Sequence, residues 1–141
     1  MVAQTHVSVP APEARKDSLL RRALVGNVIF SAVSGTLMIA ASSWISDFTG
    51  LTPGWVPALI GAGVLLWAAD VAWIARKEEL AAAQAKLVIA GDIAWVVASF
   101  AILVAGVLDL TTAGAWTVGV LAEIVGLFAV VQYLGLRRLR S

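Results

Sequence analysis

The 141-residue chain contains no cysteine. Disulfides, thiolate metal sites, covalent c-type haem attachment and cysteine nucleophiles are therefore excluded, and the redox compartment stays open. The single histidine, His6, stands in the polar N-terminal stretch, which leaves no histidine in the apolar part of the chain to ligate a haem. Charge is scarce as well. Only 13 % of residues are charged, ten basic against nine acidic, for a net charge of +1. A balance so close to neutral argues against a nucleic-acid partner and against an acidic tail. No nucleophile with a base, metal-ligand cluster, phosphate loop or dinucleotide fingerprint appears. Asp70 and Asp92 are an acid pair in principle, but two carboxylates alone are a weak catalytic signal. We therefore expect a noncatalytic protein with no catalytic residue, no metal and no cofactor.

Apolar residues make up 60 % of the chain and mean hydropathy is +0.91, too high for an ordinary water-soluble domain. Residues 1–18, with two prolines and no apolar period, read as a disordered tail. Residues 19–141 read as one domain with four hydrophobic runs, about 23–45, 55–75, 87–108 and 113–136. Each meets the requirement of about 20 residues for a helix across a hydrocarbon core of about 30 Å. Barrel strands would need alternating polarity and about half that length. The fold expected is an all-α integral membrane protein, a four-helix transmembrane bundle. Arg21 and Arg22 before an apolar stretch ending in MIAASS resemble a signal peptide. The first run is longer than the 7–15 residues of an h-region and follows a long tail, so it is expected to be retained.

Basic residues set the expected orientation. Arg15, Lys16, Arg21 and Arg22 precede the first run, Arg76, Lys77 and Lys86 separate the second from the third, and Arg137, Arg138 and Arg140 follow the fourth. The other two connections carry only Asp47 and Asp109 as charges. The positive-inside rule then puts both termini in the cytoplasm, and Trp44, Trp55 and Trp116 at the opposite headgroup boundary. Compact size and general character suggest a bacterial-type cytoplasmic membrane.

Counted from the basic flanks, Asn27, Asp70, Asp92 and Gln132 lie five or six residues into their runs, at a common depth of about 8–9 Å. The segments AADVAW (68–73) and AGDIAW (90–95) give two of these aspartates a tryptophan three residues on, Trp73 and Trp95. If the second and third runs are antiparallel neighbours, Asp70 and Asp92 meet at one level and each tryptophan flanks its aspartate. Glu123 lies about 21 Å in, and nine residues from Gln132, which puts the two on opposite faces of the fourth helix. Gln132, being uncharged and nearer water, is the better candidate for exposure.

An ionised carboxylate at a helix centre costs about 2.5–3.5 kcal/mol, and no lysine, arginine or histidine lies inside the runs as a counter-ion. Glu123 and at least one of Asp70 and Asp92 are therefore expected to be protonated or in contact with water. Seven-residue lines place Ser34 with Asn27, Ser99 with Asp92, and Gly63 with Asp70, while Ser31 and Gly35 form a small-xxx-small step of the kind that lets helices approach. Glu123 is a candidate partner for Ser34 or Ser99, which lie at similar depth. The KEEL segment at 77–80 with AAAQAK after it reads as a short helical connection.

Two functions remain. In one, the polar layer is a register-fixing hydrogen-bond network, and the protein acts by association as an accessory subunit or a self-associating bundle, with the lipid bilayer, a second copy or another membrane protein as partner. In the other, Asp70, Asp92 and Glu123 are the ionisable groups of a proton- or cation-linked carrier for a small solute, with Asn27 and Gln132 lining its pocket.

Overall fold

The computed structural model describes Val7 and residues 16–141. The tail expected over residues 1–18 thus falls almost wholly outside the described residues; Ser18 already begins a helix, with Asp17 as its N-cap residue. Among the described residues there are five helices, α1 (Ser18–Ala40), α2 (Ser42–Thr49), α3 (Val56–Ala75), α4 (Ala82–Ala105) and α5 (Thr112–Arg140), and no strand. All but α2 are long and apolar enough to cross a membrane.

Three boundaries differ from the sequence reading, each for a local reason. The first hydrophobic run does not continue to Ile45 as one helix. Ala41 leaves helical geometry (φ −113°, ψ 28°), and α2 starts afresh behind it. The Ser42 hydroxyl donates to the Gly54 carbonyl and accepts the Ala58 N–H at 3.0 Å, which ties the start of α2 to the first turn of α3. Residues 77–80 form bends rather than a helical connection, and AAAQAK instead joins α4. That helix stops at Ala105 because Gly106 adopts the left-handed conformation (φ 61°) that glycine tolerates without a steric penalty. The N-cap of α5 is Thr111. Its hydroxyl accepts the Gly114 N–H at 2.9 Å and donates to the Phe48 carbonyl at 2.6 Å, anchoring α5 on the end of α2.

Glycine decides which helices pack. Gly35 of α1 and Gly61 of α3 cross so closely that a Cβ on either would lie 2.9 or 2.6 Å from the other's carbonyl oxygen. Gly135 of α5 similarly lies against the Leu20 backbone of α1. Such contacts are how helices associate where lipid removes the hydrophobic drive. As a result α1 packs along α3 and on α5, α4 packs on α5, and α3 and α4 barely touch. The order across the bundle is α3, α1, α5, α4. The antiparallel neighbours expected from the short 76–81 connection are therefore not packed partners over most of their length.

The start of α1 and the C-terminus meet at one end of the bundle. Lys16 donates to the Ser141 carbonyl at 3.1 Å. Arg21 donates to the carbonyls of Ala75, Lys77 and Glu78 and to the Asp17 carboxylate. A single guanidinium thereby satisfies carbonyls left open at the C-terminus of α3 and pins the 76–81 connection beside α1. The packed core sits just inside this basic end, built from Leu20 and Leu24 of α1, Val71 and Ile74 of α3, Val88 and Ile89 of α4, and Leu136 of α5. Outward-facing apolar residues such as Leu66, Val97, Val104 and Leu127 are exposed along the long helices, and Trp44, Trp55 and Trp116 are exposed toward the opposite end.

Candidate functional site

Immediately beyond that core, three helices each turn one polar side chain inward. On α1 the buried stripe runs Leu20, Leu24, Asn27, Ser31, at helical spacing. On α4 it runs Ala85, Val88, Asp92, Ser99, and on α5 Ala122, Ala129, Gln132, Leu136. Asn27, Asp92 and Gln132 are at most 2 % exposed. The Asn27 amide donates to Asp92 Oδ2 at 2.7 Å, and the Gln132 amide donates to the same oxygen at 3.0 Å. Ser31 donates to Asn27 Oδ1 at 3.1 Å, extending the cluster one turn along α1. The Trp67 indole of α3 lines the same cavity as Asp92. Buried polar groups of this kind need such partners, because an unmade bond in an apolar medium is costly.

Two groups in the cluster are incompletely used. Asp92 Oδ1 takes no bond from either amide. Gln132 Oε1 is buried and has no hydrogen-bond partner, although it lies on the same amide that holds Asp92.

Asp92 also lines a cavity of about 440 Å³ walled by residues of α1, α3, α4 and α5. Asn27, Ser31 and Asp92 form its polar wall, and Phe30, Trp67 and Trp95 are among its aromatic lining. The Trp67 ring crosses from α3 to lie over Gly91 of α4; a Cβ at Gly91 would run into it. Glycine immediately before the aspartate is thus what lets an indole from the neighbouring helix pack against α4 beside Asp92. The apolar remainder includes Met38, Ile60 and Leu121, toward the end opposite the basic flanks.

Other residues singled out in the sequence lie elsewhere. Asp70 is exposed, on an outward groove of α3 bounded by Gly63, Trp67 and Trp73, and does not face Asp92. Trp73 is 68 % exposed, whereas Trp95 lines the cavity. Glu123 is exposed in a groove between α4 and α5 that also holds Phe100 and Trp116. Ser34 donates to the Phe30 and Ser31 carbonyls and Ser99 to the Trp95 carbonyl, so neither serves Glu123. The exposure expected for Gln132 is reversed. It is buried because its amide is spent on Asp92, and Glu123 on the opposite face is the exposed one. Trp67 and Phe30 escaped the sequence reading; the adjacent Gly91–Asp92 pair was the available sign that something bulky approaches α4 there.

No group of three or more metal-ligating side chains occurs among the described residues. Comparison with family models, with curated proteins and with solved structures finds no match to this chain.

Proposed function

We propose that the chain is a noncatalytic membrane-embedded protein that binds a small solute in the Asp92 cavity, as a carrier or the binding subunit of one. The basic end would lie in the cytoplasm of a bacterial-type cell, by the charge bias of the connections. The observation that supports this reading is that Asp92, itself buried, lines a cavity. A carboxyl needed only to tie helices would be sealed by its partners, yet here both amides take one oxygen and the side chain still lines open space. The volume and the mainly apolar lining with a few convergent polar groups match the usual character of small-molecule sites.

Filling the cavity tests the proposal. A Cβ at Gly63 would meet nothing within 4 Å, so Gly63→Phe adds bulk at the cavity wall without a backbone clash. Ser34→Phe fills it from the α1 side. Protein in zwitterionic nanodiscs should bind at least one of octylammonium, 1-octanol and octanoate above empty nanodiscs, and both fillings should remove that binding. Binding of none of the three by the native protein would overturn the proposal.

A second reading, action by association, is favoured by Asp70 and Glu123. Both are exposed on spanning helices, and neither makes a side-chain hydrogen bond or salt bridge among the described residues. Carboxyls in that position are costly toward lipid, and a second copy or another membrane protein would cover them. Cross-linking in intact membranes from cysteines introduced beside each position is the check; absence of any adduct at both sites would exclude it.

A further inference from the structure

The cavity is polarised along the membrane normal. Asn27 and Asp92 mark one end; Met38, eleven residues further along α1, lies about 16 Å away at the other, and Leu121 stands the same number of residues from Gln132 on α5. The polar end carries one carboxylate and no positive side chain, because the basic residues all flank the apolar runs. It also presents Trp67 and Trp95, whose ring faces attract cations. Asp92 Oδ1, which neither amide engages, is the polar atom left for an occupant at this end. Every unmet requirement at this end is for positive charge or an N–H donor, and every requirement at the other end is for an apolar body.

Resting on the binding function proposed above, we propose that the occupant is a small protonated amine with an apolar tail, its ammonium group at Asp92 and its tail directed toward Met38 and Leu121. The ammonium supplies the missing counter-charge and N–H donors, and the tail replaces lipid along the apolar wall. Trp67 lines both the cavity and the outer Asp70 groove, and so stands at the boundary between them. A bare inorganic cation leaves the apolar end unfilled, and a fatty acid brings a second negative charge to Asp92.

The test compares octylammonium, 1-octanol and octanoate, which share one tail and differ in head charge. Binding is measured by equilibrium dialysis against the native protein in zwitterionic nanodiscs, with empty nanodiscs subtracted. Octylammonium should bind roughly tenfold more tightly than 1-octanol, with octanoate weakest. Asp92→Asn, which retains an acceptor for Asn27 and Gln132, should bring the ammonium and the alcohol to within about twofold of each other. Equal binding of all three by the native protein would mean the cavity merely accepts an alkyl chain, and would overturn this inference while leaving the binding function standing. So would preference for octanoate. The native comparison needs no variant, so a folding defect in Asp92→Asn cannot mask the answer.

Discussion

Replacing Asp92 separates its part in holding the helices from its charge. In Asp92→Leu the Asn27 and Gln132 amides lose their shared acceptor while both remain buried. Interhelical hydrogen bonds in membranes average about 0.6 kcal/mol and reach about 1.7, so two of them bracket the loss between about 1.2 and 3.4 kcal/mol. The upper half of that range applies, about 2.3–3.4 kcal/mol, because an orphaned buried donor carries its own cost. Asp92→Asn behaves differently. Both amides bond to one carboxyl oxygen, so a single amide oxygen can replace it, and the expected loss is under about 1 kcal/mol. Reversible unfolding in bicelles reads both values, and a double-mutant cycle with Gln132→Leu should show coupling, since the second substitution removes nothing once the acceptor has gone. Equal stabilities for the asparagine and leucine variants would refute the assignment of these bonds as the link between α1, α4 and α5.

Gly91→Ala should destabilise by about 1–3 kcal/mol through overpacking against the Trp67 ring, and Trp67→Leu in the same chain should recover most of it, as read by thermal unfolding. Arg21→Ala should cost about 1–2 kcal/mol, the low end for charge-assisted bonds because the side chain is part-exposed, and should speed hydrogen exchange at the Arg76 and Lys77 amides, which close the C-terminus of α3. Asp70→Asn and Glu123→Gln should change the unfolding free energy of the single chain by less than about 0.5 kcal/mol, since neither side chain has a partner to lose. A larger loss at either would reveal a contact within the bundle that the fold lacks.

Depth along the helices was legible in the sequence, and rotation about them was not. Counting from the basic flanks put Asn27, Asp92 and Gln132 at one level, and the three do meet through a shared oxygen. The same count put Asp70 with them, yet it faces outward, because depth says nothing about azimuth and a seven-residue line through Gly63 runs along an exposed face as readily as a buried one. Loop length also misled. A short connection between the second and third runs suggested packed neighbours, whereas the Gly35–Gly61 crossing draws α3 to α1 and the Arg21 clamp holds the connection to α1 at the basic end. The cavity is walled by residues of four helices, a relation that no single run encodes. The break at Ala41 was hidden for a similar reason: hydropathy continues through it, and what stops the helix is a serine hydroxyl engaged with a segment twelve to sixteen residues later.

Solid-state NMR on protein in lipid bilayers tests the convergence on Asp92 most directly, using a ¹³C label in the Asp92 carboxyl and ¹⁵N labels in the Asn27 and Gln132 side-chain amides. Dipolar transfer to the Asp92 carbon from both amides, and from neither to a labelled Asp70 carboxyl, is the expected result. Transfer from neither amide to Asp92, or transfer to Asp70 in its place, would contradict the site on which the proposed binding function rests.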